Sequence, residues 1–381
     1  MKERHMSFRF YQNKISINKK LRHINYVFIF LIMTVCSVGF MTLYSVENGN
    51  IDPLVSNQIL RFFVGFIMML IIATIDINFW IRWAYVIYGI TILLLITVEI
   101  TGSVNMGAQR WINLKFIQLQ PSEIMKIALV LALARYFHWL NCYNVKRSLY
   151  LIPPLTMIIA PVILVFNQPD FGTAIVLTMT GGVIFFLVGV QIWKFITIIA
   201  FGLAAIPIIW NLMHKYQRQR IITFLDSESD ITGSGYHIMQ SKIAFGSGHI
   251  FGKGFLLGTQ NHLNFLPEKQ TDFIFTTFAE EWGIIGSTVL LLLYTMIIFY
   301  SYKMSLQACS QFARLIGLGL ITSFFLYVFI NIAMVTGLIP VVGIPLPLIS
   351  YGGTSMITTL FAFGLILSVY IHRNVYISNN I

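Results

Sequence analysis

Residues 121–135 read Pro-Ser-Glu-Ile-Met-Lys-Ile-Ala-Leu-Val-Leu-Ala-Leu-Ala-Arg: a Pro-Ser start, a carboxylate and an ammonium three residues apart, then eight apolar side chains before the next charge. Glu123 and Lys126 share one helix face within the first turn, and the remainder of the segment excludes charge. An ionisable group at the centre of a membrane helix costs about 2.5–3.5 kcal/mol, so such groups mark a site or a pathway. The arrangement recurs elsewhere. Asp170 follows Gln168-Pro169, and Asp272, Glu280 and Glu281 follow Leu266-Pro267-Glu268, each at the start of an apolar run. These starts predict an intramembrane protein whose chemistry or transport is concentrated at one face.

Composition agrees. Of 381 residues, 57% are hydrophobic and 10% charged, against about 25% charged in a soluble domain, which excludes a water-soluble core. The net charge of +11 is scattered over loops, with no aromatic-interleaved basic module, so nucleic acid is not the expected partner. Cys36, Cys142 and Cys309 lack CxxC or ligand spacing, which argues against a disulfide framework or a zinc site. The polar, basic first 24 residues lead into about 20 apolar ones, too long for a signal-peptide core and without a small-residue cleavage site. They read as a retained signal anchor.

The expected fold is all-α and polytopic. Apolar runs long enough to span a bilayer begin near Tyr26, Phe62, Trp83, Ser122, Leu151, Gly172, Phe195, Phe273, Leu315 and Ser350, ten in all. Loops with Arg82, Lys146/Arg147, Lys194, Lys303, Arg314 and Arg373 alternate with loops poor in Lys and Arg, which places both termini in the cytoplasm. Even-numbered helices then start on the outer side. The expected division is a basic cytoplasmic segment (1–24), one membrane domain (25–372) and a cytoplasmic tail (373–381). One large outer loop, about 214–271, lies between helices 7 and 8. Within it, His237 to Phe245 reads as a short amphipathic helix at the interface, and the glycines from Gly246 to Gly258 permit tight turns.

The fourth, sixth, eighth and tenth helices therefore point their N-termini outward. Each start is rich in Pro, Ser, Thr or Gly, and free N–H groups with about half a positive charge suit an anion such as phosphate. Ordinary capping is the alternative for any one of them. Lys126 either faces a ligand anion with Glu123 behind it, or forms a neutralised pair that tolerates burial. Asp272 is either an N-cap or a proton acceptor at a partly dry site, where desolvation and neighbouring cations pull its pKa in opposite directions. Arg218 and Arg220 offer a phosphate-gripping fork or are solvated loop charges. Asn331 and Arg135 read as structural hydrogen-bonding or snorkelling groups. Walker A, GxSxG, HExxH, CxxCH and dinucleotide signatures are absent from the sequence.

Five motifs in order, Gly107-Ala108-Gln109-Arg110-Trp111, Gln120-Pro121-Ser122-Glu123 with Lys126, Gln168-Pro169-Asp170-Phe171-Gly172-Thr173, Leu266-Pro267-Glu268 with Thr271-Asp272-Phe273-Ile274-Phe275, and Pro347-Leu348-Ile349-Ser350-Tyr351-Gly352-Gly353, resemble the SEDS family (shape, elongation, division, sporulation). Thr336 to Pro347 is similar to the RodA-type elongation branch. The division paralogue FtsW typically has a Thr-Lys-Gly-like segment there.

The resemblance implies a multi-pass protein of the cytoplasmic (inner) membrane that polymerises lipid II into glycan strands on the outer face. Its implied partners are lipid II, the nascent glycan strand, a class B penicillin-binding transpeptidase and other rod-complex membrane proteins. The family's essential aspartate maps onto Asp272, and its glutamate–lysine pair onto Glu123 and Lys126. Arg110, Asp170, Arg218, Arg220, Lys242, Glu268 and Ser350 are the further substrate-binding candidates. Mg²⁺ or Mn²⁺ is associated with activity in the family, although no dedicated cage is visible in the sequence, and no organic cofactor is expected. A lipid-linked sugar flippase and a non-catalytic scaffold of the elongation complex are the rival readings.

Overall fold

Long apolar helices dominate the computed structural model, which describes residues 20, 22–105, 108–113, 118–140, 145, 147–212, 218, 222–224, 234–262 and 269–377. The expectations for the basic segment 1–19 and for Lys146, Arg220 and Glu268 lie outside the described residues. In chain order the main helices are α1 (Tyr26–Val46), α2 (Leu54–Thr74), α3 (Ile77–Thr101), α4 (Pro121–Trp139), α5 (Ile152–Asn167), α6 (Phe171–Val188), α7 (Ile192–Ala204), α8 (Ile206–Leu212), α9 (Ser234–Ser247), α10 (Thr259–His262), α11 (Ile274–Leu306), α12 (Gln311–Val335) and α13 (Gly353–Ile371). Between α3 and α4 the chain forms a small antiparallel sheet, β1 (Ser103–Asn105), β2 (Ala108–Asn113) and β3 (Gln118–Leu119), in that order. The sequence pattern predicts only a loop there.

Among the described residues, eight helical segments are long and apolar enough to cross a membrane: α1, α2, α3, Ser148–Asn167, α6, α11, α12 and α13. The protein is thus a multi-pass membrane protein. The expected runs near Phe62 and Trp83 belong to helices that start earlier, at Leu54 and Ile77. In α2 this is because Gln58, which interrupts the apolar pattern, turns inward and donates to the Ser350 carbonyl at 3.0 Å.

Two of the ten expected spans fall outside those eight. Helix α4 carries Glu123, Lys126 and Arg135 yet is buried from Pro121 through Ala134 except at half-buried Ile124, against α3, α6 and α12. Its neighbours are protein rather than lipid, so it needs fewer apolar side chains. Helix α7 has only 13 residues, about 20 Å at 1.5 Å per residue.

Burial sorts the bundle into a centre and a rim. The apolar windows of α12 and α13 are 78% and 67% buried, while those of α3 and α11 are 22% buried. The rim exposes Phe30, Phe63, Ile67, Phe201 and Phe299, as a lipid-facing surface must. At the centre small residues allow close approach: a Cβ on Gly364 of α13 would sit 2.8 Å from the Met69 carbonyl of α2.

Helix α11 breaks at Gly283 (φ 64°, ψ −162°). Into the break runs the glycine-rich segment after α9. Ile284 and Ile285 donate to the carbonyls of His249 and Ile250, and Lys253 and Gly254 donate to those of Glu280 and Glu281. Gly283 is obligatory because a Cβ there would fall 2.3 Å from the Gly252 nitrogen. The expected interfacial helix forms as α9, and it docks on the bundle. Ile238 and Ala244 are buried, and Ser241 meets Thr276 Oγ1 at 2.9 Å and the Val335 carbonyl at 2.7 Å.

Candidate active site

The starts of α4, α6, α11 and α13 are tied directly to one another. Gln120, the residue before α4, donates its N–H to Thr354 Oγ1 of α13 (3.3 Å), and Thr354 donates to the Gln118 carbonyl (2.8 Å). The Gln120 side chain reaches Asp170 at the start of α6 (3.3 Å). Tyr351, before α13, donates to the Gln270 carbonyl before α11 (2.9 Å). The four outward N-termini expected from the sequence therefore meet at one place.

Glu123 stands in the first turn of α4 behind Pro121. Its carboxylate accepts from Lys126 Nζ at 2.8 Å, Tyr327 Oη at 3.0 Å and Thr358 Oγ1 at 3.2 Å. Lys126 Nζ also lies 3.6 Å from the centre of the Tyr327 ring, a cation–π contact that strengthens away from water. Glu123 and Lys126 are 2% and 9% exposed, so burial is tolerated because each charge has its counter-charge and satisfied hydrogen bonds. The pair lines a narrow cleft with Ser323, Phe324, Tyr327, Pro347 and Phe363. Tyr327 and Thr358 do not stand out in the sequence. The available signal was a hydroxyl inside an apolar helix.

Asp170 caps α6, accepting from the Thr173 N–H (3.4 Å) and Thr173 Oγ1 (2.9 Å). Arg110, on β2, lies 3.8 Å from the Asp170 carboxylate, and donates to the carbonyls of Gln168 (3.2 Å) and Pro169. Arg110 thereby fastens the small sheet to the turn that begins α6.

Asp272 sits in the turn ahead of α11, and three successive carbonyls there are each held by a different donor. Gln270 accepts from the Tyr351 N–H, Thr271 from Ser350 Oγ at 2.6 Å, and Asp272 from Asn331 Nδ2 at 2.9 Å. Asn331 also donates to the Ile344 carbonyl at 2.7 Å. A Cβ on Gly343 (φ 76°) would lie 3.5 Å from an Asp272 carboxylate oxygen, so the carboxylate faces the Gly343 loop. Ser350 is buried, and its hydroxyl accepts from the Leu346 N–H while donating to Thr271. Three residues before Asp272, burial pulls the Lys269 ammonium below its usual pKa range, opposed by the charge of Glu47.

The remaining candidates lie apart from this cluster. Arg218 donates to the Asn211 carbonyl of α8 at 2.6 Å. Lys242 is exposed on α9, its stem packed over Gly337. Glu280 is consumed by Lys253 (2.6 Å), Thr259 and the Gln260 N–H, and Glu281 by Ser45. Those two carboxylates hold the glycine-rich segment. Among the described residues no three acidic, His or Cys side chains gather as a metal cage.

A family model described as "Cell cycle protein", covering FtsW, RodA and SpoVE, matches residues 20–375. The chain is 40% identical over 353 residues to the peptidoglycan glycosyltransferase MrdB of Escherichia coli K12, covering 92% of this chain and 94% of that protein. It is 36% identical over 326 residues to MrdB of Helicobacter pylori 26695, covering 82% of each. Among solved structures, a chain of a peptidoglycan synthase complex that coordinates polymerization and crosslinking superposes with a TM-score of 0.79 at 29% identity, over 92% of this chain and 98% of that one. The rod shape determining protein RodA of Thermus thermophilus gives 0.70 at 26%, over 93% and 98%. The chain belongs to the FtsW/RodA/SpoVE (SEDS) family, and within it to the RodA type.

Proposed function

We propose that this protein is a peptidoglycan glycosyltransferase that polymerises lipid II into glycan strands during cell elongation, with Asp272 as the general base. The activity follows from the relatives that bear that name along almost their whole length. The observation that carries the site reading is the Asp272 turn. Its three carbonyls are clamped by Tyr351, Ser350 and Asn331 where four helix N-termini meet. A base must be held in place before it can take a proton at the right moment.

In this reading Asp272 accepts the proton of the acceptor 4-hydroxyl as that oxygen attacks the donor's anomeric carbon. The bond to the diphosphate breaks and the anomeric centre inverts, by analogy with inverting glycosidases. Such a base contributes roughly 10²–10⁴ in rate. The four helix starts and Lys126 receive the leaving diphosphate, and electrostatic stabilisation of this kind often lowers a barrier further than the base does. Glu123 holds Lys126 in place, while Asp170 and Arg110 keep the starts of α4 and α6 together. Arg220, Glu268, Arg218 and Lys242 of the large loop serve as later contacts for the moving substrate. Ser350 acts through the backbone of Thr271 rather than on substrate.

The chain spans the cytoplasmic membrane ten times, α4 and the α7–α8 pair adding to the eight apolar segments, with both termini in the cytoplasm. Its partner is a class B transpeptidase, in keeping with the synthase complex it resembles. The decisive experiment is synthesis of glycan from lipid II by purified, folded Asp272→Asn protein. Strand synthesis close to the wild-type rate would remove the base.

A further inference from the structure

A second cavity lies at the other end of the bundle from Asp170. Helix α6 begins at Phe171, beside Asp170, and ends at Val188, where Gly189 (φ 90°) reverses the chain into α7. Eighteen residues separate the two ends, about 27 Å at 1.5 Å per residue. At that far end, Leu151, Ile152 and Leu155 of the α5 start, Phe185 and Val190 of the α6 end, and the first turns of α7 line a groove of about 240 Å³.

Its wall presents apolar surface only, so Lys194, which is 9% exposed, contributes its methylene stem. The Lys194 ammonium lies 5.8 Å from the centre of the Trp193 ring, and that ring is 57% exposed at the rim. Exposed Arg147 immediately precedes Ser148, another lining residue. The reaction uses none of these groups.

We propose that this groove binds one acyl chain of an anionic phospholipid, with the phosphate headgroup held between Lys194 and Arg147. Each part of the ligand has its counterpart. The dry wall suits a hydrocarbon chain, and a lysine stem that runs along apolar surface delivers its charge to headgroup level. Tryptophan favours the same depth. Lys194 in the lining and Arg147, next in the chain to the lining Ser148, select an anionic headgroup over a zwitterionic one, at about fivefold each. The site stands whether or not Asp272 is the catalytic base, because it shares no residue with that turn.

The test uses full-length protein in phosphatidylcholine nanodiscs, titrated with phosphatidylglycerol or phosphatidylcholine brominated on the acyl chain. The readout is the part of the tryptophan quenching that disappears in Trp193→Phe. Phosphatidylglycerol is expected to reach half-quenching at a several-fold lower mole fraction, and Lys194→Gln to reduce that preference about fivefold. Arg147→Gln, on an exposed residue that cannot unfold the bundle, is expected to act in the same direction. Equal quenching by the two lipids, or an unchanged preference in both variants, overturns the proposal. So does stronger displacement by a polyprenyl phosphate, which would make the occupant a substrate-type lipid. Failure of either lipid to quench Trp193 would leave the groove to another protein and also overturn it.

Discussion

The Glu123–Lys126 centre and the Asp272 turn adjoin the same junction of helix starts, yet they are held in opposite ways. At the first, the charges themselves are bound: Lys126, Tyr327 and Thr358 all address the Glu123 carboxylate. At the second, the backbone is bound: three donors address three carbonyls, and the Asp272 carboxylate faces the Gly343 loop. A buried charge bound by several side chains suits a scaffold or an electrostatic anchor. A carboxylate whose main chain is clamped at three carbonyls is set at a fixed place, as a base must be.

The sharpest way to break that contrast is Asp272→Asn, which preserves shape and removes basicity. It is expected to lower glycan synthesis from lipid II by about 10²–10⁴ while leaving the melting temperature close to wild type. A fall in stability matching the fall in rate would make Asp272 a structural cap. At the other centre the effect should appear in stability. Lys126→Met strands the Glu123 carboxylate and is expected to cost about 3–5 kcal/mol, whereas the Lys126→Met/Glu123→Gln double variant should recover much of it. A thermal-unfolding double-mutant cycle in detergent measures this, and additive losses would contradict a coupled pair.

Asn331→Ala removes the donor shared by the Asp272 and Ile344 carbonyls. The expected cost is about 1–3 kcal/mol for the carbonyls left unpaired, with a fall in turnover larger than in lipid II affinity. An unchanged rate would mean that Ser350 and Tyr351 suffice to place the turn.

The smallest effect belongs far from both centres, where Asp76 meets Lys20 at 2.7 Å and His372 at 2.8 Å. Partial burial pushes the Asp76 pKa up, but the hydrogen bond and charge of Lys20, with His372, outweigh it and leave the carboxyl below its ordinary value. A depressed carboxylate stabilises the fold above the unfolded-state pKa, about 3.9, and that contribution is lost as pH falls through the lower folded value. The difference in melting temperature between wild type and Asp76→Asn should therefore be present at neutral pH and close below about pH 4. A difference that persists there would assign Asp76 a role other than its charge.

Much of the site could be read before any fold was known, because charge is expensive in a bilayer and each exception to its exclusion is informative. Glu123, Lys126, Asp170 and Asp272 stand out in that way, and their spacing from Pro and Ser marks them as belonging to helix starts. Tyr327 and Thr358 do not stand out, and Asn331 reads only as a structural hydrogen-bonding group. A hydroxyl or an amide inside an apolar helix has the same appearance whether it bonds its own helix or another. The inward turn of Gln58 and the break at Gly283 were hidden for a related reason, since each depends on a segment far away in the chain.

From its residues alone this chain is a polytopic membrane protein with helix starts suited to anions and a carboxylate at the mouth of its eighth expected span. Local hydropathy, capping chemistry and the cost of burying charge are enough to decide that. Which helices form the centre, that four starts converge, and which donors clamp the Asp272 turn were decided only by tertiary packing. Those features rest on contacts between residues tens to hundreds of positions apart, such as Gln270 with Tyr351 and Glu123 with Thr358, and no local pattern encodes such pairings.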